Sequence, residues 1–577
     1  MKKNERVALF GDSIAKGCVS YLQKKLQKVF SAKEGYSIEI LQMGISSETS
    51  RDGLQRLQTV IDSNVDSAVV NFGMNDWRKG LELEEFERNY TTILETLTRN
   101  LSHVVVCTIQ PDFNGTTYRF SQEGRQGISD EIKQYNEIIL KVASKFKVLI
   151  ANVYDYWMRT FDPIYLGLED AIHPNSEGYK VMVQAILPVL IRRQMIVLWQ
   201  FNGRYAHCNY ACPYCYVSTS VNKGMHFQHS IEEWKTAFNR HFGDTHTVFY
   251  FSYGEPTLAQ YFFDVLDMVA ENKNWEAKIT TNLSLPLDKL LATRLAREKR
   301  LNINTSFHPT QVDVDTFIQQ CLKLRAAGIE PSIVYVMYPP QIDDFESKYL
   351  PAFNANGLVV HIRAFRGLYR GKKYPGAYTE DQWIKTARYM DRANLQYQLC
   401  EVSGLGRLSM IGVRHILVDN FGKIEMCDSY VGDRSYGNVF EDSINLDLEP
   451  TPFPGLVPLA AVDDIADYVE LEYQDLEGNN LLSYARQGGV YKKEDGTIKY
   501  PFQHADFMDL AFRKEVTTVP DPTVKPSKFW LNIRWFLVHF IYSFVIKKYG
   551  KWIFAWFRGK LRLLREGKLS LENFWHS

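Results

Sequence analysis

Ser13 follows the strand-like run VALF at 7–10 and the pair Gly11-Asp12, and it opens a stretch of helical periodicity. Its hydroxyl is therefore expected at the C-terminal end of a strand, beside a helix N-terminus. A serine there commonly serves only as an N-cap. Asp170 and His173, three residues apart in DAIHPNSEGY, change that expectation. A histidine that reaches Ser13 can take the hydroxyl proton while a carboxylate holds its other ring nitrogen, the arrangement a serine hydrolase needs. Gly44 in QMGISS and Asn75 in FGMND also follow strand-like runs and can approach the same edge. The N–H groups of Ser13 and Gly44 and the Asn75 amide would give a tetrahedral oxyanion three donors, each worth about 3 kcal/mol of barrier. Asp76 reads as a structural turn residue.

A second group of chemically capable residues is Cys208, Cys212 and Cys215 in HCNYACPYCY. Three thiolates within so short a stretch can hold three irons of a four-iron cluster and leave the fourth open, whereas a structural zinc site wants four ligands. The competing arrangement is a zinc knuckle completed by His207 or a distant residue. Cys18, Cys107 and Cys321 read as free buried thiols. With only Cys400 and Cys427 near a hairpin at 413–442 and no cysteine beyond, a second cluster with four cysteine ligands cannot be assembled there, so one cluster is expected.

The first set of residues resembles the SGNH (GDSL-like) hydrolase family in all four of its functional blocks: Gly11-Asp12-Ser13, Gly44, Gly73 to Asp76, and Asp170 to His173, over about residues 5–193. The resemblance implies Ser13 as nucleophile, His173 as base, Asp170 as orienting acid, and Ser13, Gly44 and Asn75 as oxyanion hole, acting on an ester or acetyl group. Gln42 and Ser47 depart from the usual block around Gly44, which bears on the substrate pocket more than on the chemistry.

Cys-x3-Cys-x2-Cys with Tyr214 before the last cysteine resembles the signature of the radical S-adenosylmethionine superfamily, over about residues 195–440. Gly254-Glu255-Pro256 is similar to its second motif, and Thr280-Thr281-Asn282 and Ser306-Phe307-His308-Pro309 are similar to the polar strand ends that line the cofactor. The resemblance implies one 4Fe-4S cluster, S-adenosylmethionine cleaved reductively to a 5′-deoxyadenosyl radical that abstracts hydrogen, and an electron donor of flavodoxin or ferredoxin type.

The elements that must position these residues are alternating strands and amphipathic helices. Strand-like runs at 7–10, 67–72 and 103–108, with helical stretches between them, imply an αβα sandwich around a parallel sheet. Met195 opens a second series, with strands expected at 195–201, 247–252, 277–281, 301–306, 332–337 and 358–363. That series implies a partial (β/α)6 barrel with chemistry at the C-terminal strand ends. The class is α/β throughout, with a hydrolase-like unit at 1–194, a second unit at 195–440, an irregular extension at 441–528 and an aromatic and basic helical tail at 529–577.

Lysine plus arginine and aspartate plus glutamate balance at 67 each, so no global field draws nucleic acid, and no nucleic-acid role is expected. The cysteine usage fits a reducing compartment, and the N-terminus has only a four-residue apolar run before Gly11, short of a signal-peptide core. A cytoplasmic protein is expected. Five of the eleven tryptophans lie after position 529, in a tail where eight lysines and arginines at 547–569 face one glutamate. Residues 529–568 would suit either a helix lying at the inner face of the membrane or a helical pair packed on the barrel.

The functional expectation is a fusion of a serine esterase or deacetylase with a radical enzyme, acting on a small molecule or on a glycan- or lipid-linked substrate. The alternatives are an acyltransferase, or a binding domain in front of a peptide-modifying maturase.

Overall fold

Strand β1 (Asn4–Gly11) lies between β2 (Ser37–Gly44) and β3 (Ser67–Asn71) in a parallel sheet that continues through β4 (His103–Cys107) to β5 (Leu149–Ala151), in the order β2-β1-β3-β4-β5. The computed structural model describes residues 4–30, 37–111, 128–158, 172–191, 194–201, 208–215, 229–252, 254–390, 398–399, 408–426 and 435–452, and short strands at 491–492 and 498–499. All residues of β3 are buried and those of β1 are nearly so, as a sheet covered on both faces requires. The covering helices show the matching period. In Leu83–Asn100, Phe86, Tyr90, Ile93, Leu94 and Leu97 are buried at spacings of three and four, with acids in the first turn and Arg99 in the last.

Register places Gly11 opposite both Gly44 and Asn71, so the C-terminal ends of three adjacent strands lie level. Successive crossovers leave β1 on opposite sides, which opens a crevice at this edge.

The second sheet runs β11-β10-β9-β8-β7-β6-β15-β16-β17. Six strands in chain order are parallel: β6 (Met195–Trp199), β7 (Thr247–Phe251), β8 (Trp275–Thr281), β9 (Leu301–Phe307), β10 (Ser332–Met337) and β11 (Val360–Ala364). Every strand expected of a partial barrel is present. A small hairpin, β12 (Gly367–Tyr369) with β13 (Lys372–Tyr374), follows β11. After β14 (Leu408–Ser409), the expected hairpin forms from β15 (His415–Val418) and β16 (Lys423–Glu425), with β17 (Ser435–Asn438) beside β16. β15 lies parallel to β6, so the hairpin extends the barrel sheet at its first strand.

One face of the second sheet packs on helices such as Ile231–Phe242, whose Ser230 and Glu233 form a capping box and whose Trp234, Ala237, Phe238 and Phe242 are buried. Along β8 and β9 burial alternates residue by residue, leaving Lys278, Thr280, Asn304 and Ser306 partly accessible on the opposite face.

The two units are not simply end to end. Met410 and Val413, which belong to the second unit by sequence, are buried in the core of the first. The Ile150 N–H donates to the Leu448 carbonyl at 2.9 Å, and Asn152 donates to Glu449. The strap then returns as β18 (Thr451–Pro452) against β14. The boundary near 194 divides the sheets, while Met410, Val413 and Leu448 pack into the first core and Ile411 and Leu446 into the second. Residues 441–452 of the expected irregular extension are thus partly in this strap. Most of the remainder, and the tail at 529–577, lie outside the described residues. No helix among the described residues is long and apolar enough to cross a membrane.

Candidate active sites

At the first sheet edge, His173 Nε2 lies 2.9 Å from Ser13 Oγ. Ser13 begins the helix Ser13–Phe30 immediately after β1. His173 is held in place in part by Gln110, a buried residue after β4 whose amide donates to the neighbouring Ile172 carbonyl at 3.0 Å. Asp170 lies outside the described residues.

Gly44 ends β2 against the Ser13 segment. A β-carbon there would stand 2.5 Å from the Asp12 carbonyl oxygen and from the Lys16 nitrogen, so only glycine fits this approach. Asn75 lies in the short helix Met74–Lys79, which starts at Gly73 with φ of 129°. The Asn75 amide donates to the Glu48 carbonyl at 2.9 Å and, at a long 3.5 Å, to Asp12. Ser13, Gly44, Asn75 and His173 are therefore at one edge.

Asp76 has the structural role expected of it. Its buried carboxylate accepts from the Ser50 N–H at 2.9 Å and from the Ser50 hydroxyl at 2.5 Å, tying the β2–β3 connection to the β3 end. Burial raises its carboxyl above the usual range in spite of these bonds. Asp12 is a feature the sequence reading missed. Its carboxylate accepts the Ile14 N–H at 2.8 Å, and burial pushes its carboxyl up to about 7. Only its adjacency to Ser13 could have pointed to it.

In the second unit, the cysteine loop docks on the C-terminal ends of β8 and β9. Asn209 and Ser284 exchange a hydrogen bond at 2.8 Å, Ala211 N–H donates to Gln311 at 3.2 Å, and the Tyr214 hydroxyl meets His308 Nδ1 at 3.1 Å. Glu255, buried just past β7, accepts from the Asn282 N–H at 2.7 Å, the Thr281 hydroxyl at 2.9 Å and the Thr257 hydroxyl. Burial raises its carboxyl as well. Gly254 has φ of 61° and Pro256 opens a short turn. Cys208, Cys212, Cys215, Tyr214, Gly254, Glu255, Pro256, Thr281 and Asn282 are thus gathered around adjacent strand ends. Ser306 is on β9 but makes none of the described bonds to the loop. His308, two residues further on, makes the β9 contact with Tyr214, and burial pulls its imidazole down to about 4.

Among the described residues, no group of three or more His, Cys, Asp or Glu is arranged to hold a metal ion. The donor set nevertheless fits an iron–sulfur cluster by chemistry. The three thiols are free of disulfides, and Cys208 Sγ accepts the Tyr210 N–H at 3.4 Å and the Asn282 amide at 3.7 Å, bonds of the kind that tune cluster sulfurs. Burial and the neighbouring thiols push Cys212 up to about 12. Cys18, Cys107 and Cys321 are buried and free, as expected, while Cys400 and Cys427 lie outside the described residues.

Residues 9–181 match the GDSL-like lipase/acylhydrolase family, and residues 204–347 match the radical SAM superfamily. No curated protein matches the chain. Similar solved structures include the acetylxylan esterase Axe2 from Geobacillus stearothermophilus, 20% identical, covering 33% of this chain and 97% of that one with a TM-score of 0.29. A lipase/acylhydrolase from Enterococcus faecalis is 19% identical, covering 32% and 93% with a TM-score of 0.28.

Proposed function

Because this chain joins a GDSL-like lipase/acylhydrolase domain to a radical SAM domain, we propose that it is a bifunctional enzyme. In this reading the first site removes an acyl or acetyl group, and the second takes a hydrogen atom from the same metabolite or its successor. The observation that carries the first activity is the 2.9 Å approach of His173 to Ser13.

With its proton on Nδ1, where Asp170 would hold it, the His173 ring accepts the Ser13 hydroxyl proton at Nε2 as Oγ attacks the acyl carbon. The oxyanion that forms faces the Ser13 and Gly44 N–H groups. The Asn75 N–H now in the long contact with Asp12 is the one free to turn toward it. His173 then returns the proton to the departing alcohol, leaving an acyl-serine. Water then enters and its oxygen attacks the acyl carbon as His173 takes one of its protons; His173 passes that proton to Ser13 Oγ as the acyl–Oγ bond breaks, which frees the acid and restores the serine hydroxyl.

In the second site Cys208, Cys212 and Cys215 would hold a 4Fe-4S cluster, and Gly254, Glu255, Pro256, Thr281 and Asn282 would receive S-adenosylmethionine. The cluster, when bound, supplies the electron that breaks a carbon–sulfur bond of the sulfonium, and a flavodoxin- or ferredoxin-type donor would replenish it. Glu255 fixes the ends of β7 and β8 relative to each other, and His308 anchors Tyr214. The accessible face carrying Tyr250, Lys278, Thr280, Asn304 and Ser306 can hydrogen-bond a hydroxyl-rich substrate, which favours a glycan or glycan-linked metabolite. Fusion raises the local concentration of the second site for the product of the first. The tail at 529–568 is proposed as a peripheral membrane contact, which flotation with anionic liposomes tests.

The esterase reading is tested with a chromogenic acetate ester and the full chain. Hydrolysis that disappears in Ser13→Ala supports it, and hydrolysis unchanged in that variant refutes it. A labelled acyl donor offered with a sugar acceptor separates hydrolysis from acyl transfer.

A further inference from the structure

Arg56 takes no part in the steps above, yet its guanidinium reaches the segments that carry all three oxyanion donors. Its Nη2 donates to the Gly11 carbonyl at 3.1 Å and to the Met43 carbonyl at 2.9 Å. Its Nε donates to the Glu48 carboxylate at 2.6 Å, and the group stands over the Phe10 ring, 4.7 Å from its centroid. Gly11 precedes Asp12-Ser13, Met43 precedes Gly44, and the Glu48 carbonyl accepts the Asn75 amide at 2.9 Å. Arg56 and Glu48 are each only 16% exposed, so the pair is largely withdrawn from water.

The closeness of these segments makes such a cation useful. Gly44 is pressed against the Asp12 and Lys16 backbone where no side chain fits, and a β-carbon at Gly11 would stand closer still, 2.1 Å from the Asn71 carbonyl oxygen. Donors that stabilise an oxyanion act only when held within a few tenths of an ångström of the developing charge. Both carbonyl bonds come from Nη2, whose two N–H directions are fixed in the guanidinium plane that the Nε bond to Glu48 orients, so the spacing of the two strand ends is set; an ammonium on a flexible stem has no such plane.

We propose that Arg56 is a positioning residue for acyl transfer, setting the spacing between the Ser13 N–H, the Gly44 N–H and the Asn75 amide. This rests on the reading of Ser13 as nucleophile. Arg56 acts through the backbone and touches no reacting atom.

The test compares wild type, Ser13→Ala, Arg56→Met, Arg56→Lys and Glu48→Gln in the full chain. Hydrolysis of a chromogenic acetate is measured per active site counted by complete labelling with an alkyl fluorophosphonate. Arg56→Met is expected to lower kcat per labelled site 10- to 100-fold with KM within threefold. Arg56→Lys, which keeps a positive charge beside Glu48, should restore the labelled fraction to the wild-type level while kcat stays at least fivefold low. Glu48→Gln leaves both carbonyl bonds in place and should lose less than Arg56→Met. A purely structural role would lower the labelled fraction and leave kcat per labelled site unchanged, and that result overturns the assignment. So does wild-type kcat in Arg56→Lys, which also decides the matter if Arg56→Met does not fold. Wild-type hydrolysis that persists in Ser13→Ala defeats the nucleophile reading itself, an outcome distinct from these.

Discussion

Ser13 Oγ and His173 Nε2 are 2.9 Å apart across 160 residues of chain. The contact depends on β1 delivering Ser13 to the crevice and on Gln110 holding the backbone next to His173. Ser13→Ala or His173→Gln should lower the rate of acetate-ester hydrolysis by about 10³-fold or more, with little change in the melting temperature. Steady-state kinetics beside calorimetry check this, and a loss under tenfold would remove the pair from the chemistry.

Asp12 gives the first unit a pH-dependent stability. Its carboxyl is raised by burial to about 7 in the folded chain, against an ordinary value of 3.8. The folded state therefore binds its proton more tightly than the unfolded state. The resulting stability is fully present below about pH 4 and is lost as pH rises through 7. Asp12→Asn cannot ionise, so the stability difference between variant and wild type should shift in favour of the variant by a few kcal/mol from pH 4 to pH 8. Denaturant titrations across that range measure it, and a pH-independent difference would contradict it.

Met410 ties the stability of the first site to the second half of the chain. It is fully buried in the hydrolase core although it lies more than two hundred residues beyond that unit. Met410→Ala should cost about 2–4 kcal/mol and bring thermal inactivation of the esterase to lower temperature. An unchanged esterase inactivation curve would show that the strap is not part of that core.

Glu255 holds two strand ends together through a buried carboxylate. Replacing it with leucine strands the Asn282 N–H and the Thr281 and Thr257 hydroxyls, at about 1–3 kcal/mol for each unsatisfied group. After anaerobic reconstitution, Glu255→Leu should bind S-adenosylmethionine at least tenfold more weakly by equilibrium dialysis. Wild-type affinity would remove Glu255 from the site.

The candidate residues at strand ends were legible in the sequence because each follows a short apolar run whose length fixes where it emerges. Ser13 after VALF, Asn75 after the β3 run and Glu255 after β7 are examples, and the six barrel strands followed from the same pattern. Arg56 was not legible, since a guanidinium bonded to backbone carbonyls leaves no mark on the sequence of the strands it joins. Met410 and Leu448 escaped for a similar reason: an apolar residue in a short segment does not say which of two cores receives it. The parallel placement of β15 beside β6 depends on pairing across more than two hundred residues. At the end of β9 the reading marked the stretch Ser306 to Pro309, and within it the contact with Tyr214 falls to His308, a choice set by the packing of the loop above.

The central claim is that one chain carries two separate chemistries, the second of which depends on the thiols of one loop. The most direct measurement is 5′-deoxyadenosine release by chain reconstituted anaerobically with iron and sulfide, supplied with S-adenosylmethionine and a strong reductant. Release by wild type and Ser13→Ala alike, abolished in Cys208→Ala, Cys212→Ala and Cys215→Ala, is the predicted result. A wild-type chain that takes up tetrahedral zinc in this loop, or holds iron and never releases the nucleoside, would contradict it.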